Sequence, residues 1–301
     1  MKTYHHKPLF LCALVIALSV STGFAQKSKP AQKPRKSIIF AVLNDGHSIE
    51  PIAYVSDGKL EPAVNGSDDE AMITAFVKSY YKPGTSYPML YGGAAAGTVS
   101  VTSANNKSEC GKNTADVTTS SKTPLKGFVM SLATNGTIKN TTSYRRRPTA
   151  AERTEIERLV KAEYAKNKLT PTTLHSQNLT ALDVNNDGRP EFVGSYWVDI
   201  DKLTRGLLFF IAEKGASGKT TMTYSDYRSV DQASTMSGNI KDVDDGIYHE
   251  VLLEAYDYDG DGNAEIFTYE PSFEGAGFTA YKRSGATWVK AIEVSNYHCG
   301  Y

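Results

Sequence analysis

Nine residues from Asp257 to Glu265, Asp-Tyr-Asp-Gly-Asp-Gly-Asn-Ala-Glu, crowd four carboxylates into one short stretch. Asp257, Asp259 and Asp261 alternate with residues that need bind nothing, Gly262 permits a sharp turn, and Glu265 closes the set. Such a cluster repels itself unless it is solvated or neutralised, and a hard divalent cation with oxygen ligands at about 2.3 to 2.6 Å, as calcium takes, does this well. A weaker copy, Asp183-Val-Asn-Asn-Asp-Gly-Arg-Pro-Glu191, lies 74 residues earlier with the same spacing. Asn185 replaces one carboxylate there, while Asp187 and Glu191 keep theirs. The competing reading is two acid-rich hairpin turns with no metal, because Asn-Gly and Asp-Gly favour turns unaided.

Little else in the chain carries chemistry. Beyond the first 25 residues the histidines are His47, His175, His249 and His298. His249-Glu250 is followed by Leu253 where a zincin places its second histidine, and no Gly-x-Ser-x-Gly elbow occurs. Gly215 to Thr220 imitates a nucleotide loop, but Glu213 stands in place of its first glycine. An EF-hand would need Glu at the twelfth loop position, which is Gly194 in the first loop and Thr268 in the second.

The elements that position the loops read as strands. Leu179 to Leu182 enters the first loop and Glu191 to Val198 leaves it; Val251 to Tyr256 and Glu265 to Tyr269 do the same for the second. Two further β-like runs follow each, at 206–212 and 220–224, then at 278–283 and 287–294. Each unit is therefore a four-strand meander, the construction of a propeller blade. Thr149 and Glu152 form a capping box for an amphipathic helix with Ile156, Val160 and Tyr164 on one face.

Here the chain resembles the secreted VCBS and FG-GAP repeat proteins, whose blades carry an Asp-x-Asp-x-Asp-Gly-x-x-Asp calcium loop, as in integrin α-chain propellers. The resemblance covers about 180–200 and 250–294. It implies side-chain ligands from Asp257, Asp259, Asp261 and Glu265 with the Asn263 carbonyl, and from Asp183, Asn185, Asp187 and Glu191 with the Arg189 carbonyl. Glu takes the ninth position in place of Asp, the Phe-Gly and Gly-Ala-Pro flanks are missing, and two blades do not close a propeller.

The remainder sets the context. Lys2 and Lys7 lead into an apolar run ending at Gly23-Phe-Ala25, the pattern of a secretory signal peptide over 1–25 and too short for a membrane span. Residues 26–36 read as a basic, disordered tether, 37–135 as a β-rich domain, 136–148 as a linker bearing solvated Arg145, Arg146 and Arg147, and 149–301 as the helix with its two blade-like repeats. Asp68 is expected to cap a short helix over 69–81. Without Lys2 and Lys7 the chain holds 31 basic and 33 acidic residues, a net charge of −2 that makes no case for nucleic acid. Cys110 and Cys299 remain after the leader, an even count that predicts a disulfide in an exported chain. The expectation is a mainly β, secreted, calcium-binding, non-enzymatic protein that presents a surface to a protein or glycan. The alternative is a cell-envelope hydrolase with a site between the two domains, assembled from carboxylates or histidines of both, for which substitution of His249 and His298 is the test.

Overall fold

The computed structural model describes Met1 and residues 36–139 and 144–299; the expected leader and nearly all of the tether lie outside the described residues. The chain is mainly β, built from antiparallel sheets with three α-helices among the described residues. Strands β1 (Ser37–Leu43), β2 (Ser48–Ser56), β3 (Lys59–Pro62), β4 (Ser86–Tyr91), β5 (Ala94–Ala104), β6 (Ala115–Ser121) and β7 (Ser131–Thr134) make the first sheet. Its order β1-β7-β4-β5-β6-β2, with β2 pairing back onto β1, closes a six-stranded barrel to which β3 adds an edge.

β1 shows why Ile38 to Leu43 is an unbroken apolar run. Side chains alternate between the two faces of a strand, so a run this apolar must be buried on both. Ile38, Phe40 and Val42 point into the barrel core with Tyr87, Val99 and Val117. Ile39, Ala41 and Leu43 point outward and are covered by Val251, Leu253, Phe267 and Phe278 of a second sheet. Helix α1 (Glu70–Tyr80) lends Phe76 and Tyr80 to the barrel core. Its cap is Asp69, not Asp68: the Asp69 carboxylate accepts from the Ala71 and Met72 amides at 2.9 and 3.0 Å.

The covering sheet is β13 (Val251–Tyr256), β14 (Glu265–Ser272), β15 (Gly275–Ser284) and β16 (Thr287–Tyr297), paired in chain order. Its opposite face, with Leu252, Ala255, Ile266 and Tyr281, packs on Leu182, Val193, Phe209 and Ile211 of a third sheet. That sheet is β8 (Arg145–Arg146), β9 (His175–Leu182), β10 (Glu191–Asp201), β11 (Thr204–Lys214) and β12 (Thr220–Asp231). Its outer face takes helix α2 (Ala150–Lys166), whose Ile156, Val160 and Tyr164 lie against Phe192, Tyr196, Leu208 and Phe210. The layers run barrel, four-stranded sheet, five-stranded sheet, helix. Within the five-stranded sheet Gly194 lies opposite Phe210 and makes room for its ring, since a Cβ there would come within 2.4 Å of it.

α2 starts at the expected capping box, with the Thr149 side chain accepting from the Glu152 amide at 3.3 Å and Glu152 accepting in return from the Thr149 amide at 2.8 Å. Arg146 adds a two-pronged pair to Glu152, both bonds at 2.8 Å, and this hydrogen bonding first of all holds the Glu152 carboxyl down at about 2. Arg145 departs from its expected solvation. Its side chain is 4% exposed and bonds the Met130 carbonyl and the Leu253 carbonyl at 2.9 Å each, and Glu254 Oε2 at 3.1 Å. Glu254, wholly buried, also accepts from the Gly92 amide at 2.9 Å. One ion pair thus joins the five-stranded sheet, which holds Arg145, to the four-stranded sheet, which holds Glu254, and its bonds to Met130 and Gly92 tie it to the chain beside barrel strands β7 and β4. Sequence pattern could not find it, because an arginine triplet looks the same whether it is wet or paired.

The end of β16 is fastened to the barrel. Asn296 donates to Glu50 Oε2 and to the Pro51 carbonyl at 3.1 Å each and accepts from Asn113 at 2.9 Å. His298 Nε2 lies 3.1 Å from Glu50 Oε2, a bond that raises the imidazole pKa. The expected disulfide is present: Cys110, in the β5–β6 connection, bonds Cys299 with Cα atoms 5.2 Å apart. Among the described residues no helix is long and apolar enough to cross a membrane.

Candidate metal centre

Both acidic loops are hairpin connections between strands, β9–β10 for the first and β13–β14 for the second. Their registers correspond: Glu191 pairs opposite Leu182, and Glu265 opposite Tyr256, so each Glu opens the outgoing strand beside the last residue of the incoming one. That position turns the carboxylate inward, and Glu191 and Glu265 are both buried.

Three bonds from the loop backbones also correspond. Gly188 donates to Asp183 Oδ2 at 3.1 Å, and Gly262 to Asp257 Oδ2 at 3.2 Å. Asp187 donates to Asn185 Oδ1 at 3.0 Å, and Asp261 to Asp259 Oδ1 at 3.2 Å. Arg189 donates to Asp187 Oδ1 at 2.8 Å, and Asn263 to Asp261 Oδ1 at 2.8 Å. The first acid of each loop therefore orients the glycine of the turn, and that glycine must be glycine because its φ is 78° in one loop and 91° in the other. The loops touch through the Ala264 amide, which donates to the Val184 carbonyl at 2.7 Å.

The side chains then diverge. In the second loop, carboxylate oxygens of Asp257, Asp259 and Glu265 all lie within 4.8 Å of one another, close enough to share a metal ion. Glu265 Oε2 is buried without a hydrogen-bond partner, and burial first, then the neighbouring Asp259, pushes the Glu265 carboxyl up to about 8. Lys282, reaching over from β15, brings its ammonium to Asp259, to Asp261 Oδ2 at 3.1 Å and to Glu265 Oε1 at 3.4 Å. A cation is thus already drawn into the cluster. Asp261 stands outside the trio, its Oδ1 holding Asn263 and its Oδ2 facing Lys282. Lys282 is 17 residues beyond the loop, and no spacing rule pointed to it.

No equivalent trio forms in the first loop among the described residues. Asp187 is paired with the Arg189 guanidinium. Glu191 Oε2 accepts from the Val184 amide at 2.9 Å, and burial pushes its carboxyl up to about 7. The oxygens are present, but the loop supplies its own positive partner at the position where the second loop has Asn263.

The histidines are placed apart from these loops. His249 is fully buried, with Nε2 2.8 Å from the Val243 carbonyl, and burial lowers its pKa to about 4. His298 belongs to the Glu50 clasp, so the two imidazoles share no partner. Comparison with protein-family models, with curated proteins and with solved structures finds no match.

Proposed function

We propose that this is an exported, non-enzymatic protein that uses calcium to stiffen the β13–β14 loop and presents its layered β surface to a protein or glycan partner. The observation that carries the metal reading is the convergence of Asp257, Asp259 and Glu265 around a buried carboxylate oxygen with no protein partner. An all-oxygen donor set suits a hard cation over zinc or copper. The ion would take the place of the Lys282 ammonium and spread its charge over three acids that otherwise repel. In this reading Asp261 and the Asn263 carbonyl complete the shell, and the loop at Asp183, Asn185, Asp187, Arg189 and Glu191 is a second, weaker position. The disulfide fits an oxidising compartment, as export would provide. Extracellular sites of this type bind at about 10⁻⁴ to 10⁻³ M, so the ion would be held only outside the cytoplasm.

Calorimetric titration with calcium, paired with thermal melts in calcium and in EDTA, tests this on the wild type and on Asp259→Ala. Saturable heat and a melting temperature raised by calcium, both lost in the variant, support the reading. Identical melts and no heat would leave an acidic turn neutralised by Lys282.

A further inference from the structure

A second feature lies where the two C-terminal sheets part. A cavity of about 280 Å³ opens between β10–β12 on one side and β14–β16 on the other. That is near the lower end for small-molecule sites. None of its lining residues belongs to either acidic loop, so it stands apart from the calcium reading.

Its charges are unbalanced in a definite direction. Asp226, Glu250, Glu270 and Glu293 line it against only two basic side chains, Arg228 and Lys290. Both bases are already committed. Arg228 pairs with Glu270 at 2.9 Å and donates to the Tyr248 carbonyl, and Lys290 pairs with Glu293 at 2.7 Å. Asp226 and Glu250 are left with no ion pair among the described residues.

Glu250 is the better prepared of the two. Its Oε1 accepts from the Thr268 hydroxyl at 2.6 Å and the Tyr281 hydroxyl at 2.8 Å, which fixes the carboxyl group in place. Its Oε2 makes no hydrogen bond among the described residues and is the oxygen left for a ligand. Burial above all, and then the nearby Glu270, pushes this carboxyl up to about 7, a cost that a bound positive charge would relieve. Leu207 and Phe209 of β11 supply an apolar wall beside these acids.

We propose that this cavity is a binding site for a small organic cation, an alkylammonium or alkylguanidinium, whose head group donates to Glu250 and whose short apolar body lies along Leu207 and Phe209. Two unpaired acids select positive charge over a neutral sugar, and the committed Arg228 and Lys290 leave nothing to attract an anion. A guanidinium can place two donors on one carboxylate, and an ammonium one strong donor.

The test is a titration of the ¹⁵N-labelled chain with n-butylammonium and n-butylguanidinium, with glucose and acetate as controls, all in EDTA so that the acidic loops hold no metal. Saturable shifts centred on Glu250, Thr268 and Glu270 are expected for the two cations and not for the controls. Glu250→Gln should weaken binding roughly tenfold, the scale of one charge-assisted hydrogen bond. Should Glu250→Gln fail to give a folded spectrum, Asp226→Asn on the exposed strand should weaken it by about threefold, a smaller loss because this acid is solvated. Absence of saturable cation shifts, an equal response to glucose or acetate, or unchanged affinity in the folded variants overturns the assignment.

Discussion

The Ala264 amide donates to the Val184 carbonyl across 2.7 Å, so the two acidic loops, 74 residues apart in sequence, share one backbone hydrogen bond. Behind this bond Val184 and Ala264 sit in the same apolar cluster as Leu182 and Ile266. Disturbing one loop must therefore be felt in the other. In a double-mutant cycle, Asp183→Ala and Asp257→Ala should destabilise by non-additive amounts, with a coupling of about 0.5 kcal/mol or more by chemical denaturation. Strict additivity would show that the loops only touch.

Lys282 and a divalent ion compete for the same oxygens. Lys282→Met should lower the melting temperature in EDTA, where three acids lose their counter-charge, and should tighten calcium by roughly tenfold, or ~1.4 kcal/mol. Parallel melts and titrations of the variant check both signs. A variant less stable in EDTA but unchanged toward calcium would separate the lysine from the ion position.

Arg145 and Glu254 test whether the five-stranded and four-stranded sheets depend on one another. Arg145→Met strands a buried carboxylate and should cost about 3 to 5 kcal/mol in denaturant melts. Pairing it with Glu254→Gln should recover much of that loss, because a neutral amide is far cheaper to bury than an unpaired charge.

Stability should fall at both ends of the pH range for two separate reasons. Arg146 holds the Glu152 carboxyl at about 2, below its usual 4.5, so this pair stabilises above about pH 4.5 and fades as pH drops toward 2. His298 is shifted the other way by Glu50, so its contribution is complete below its ordinary value of 6.5 and disappears as pH rises through the higher folded value. Melts of Glu152→Gln and His298→Gln against wild type should therefore differ most at neutral pH for the first and near pH 6 for the second, each gap closing in its own direction.

Much of this architecture was legible in the order of residues. Of the eight strands that flank and follow the acidic loops, seven begin and end within four residues of their expected bounds, because apolar runs between turns leave little choice, while β12 runs on to Asp231, seven residues past its expected end. The capping box at Thr149 and the Cys110–Cys299 bond were equally readable, being local chemistry and parity. Closure of the barrel was not. It depends on β2 pairing back to β1 and on β7 sliding between β1 and β4, non-local choices that no window of sequence contains. For the same reason the loop spacing named Asp257, Asp259 and Glu265 but missed Lys282, which arrives from another strand.

The disulfide also decides how the chain would bear a load. If residues 36 and 299 were drawn apart, tension would run along 36–110 and cross the sulfur bridge directly to Cys299. Everything from 111 to 298, both acidic loops and the inter-sheet cavity included, lies inside a covalent ring off that line. Pulling would peel β1 to β5 out of the barrel while the ring bore no direct tension, so a surface displayed by the C-terminal sheets would be buffered from force until the bridge was reduced.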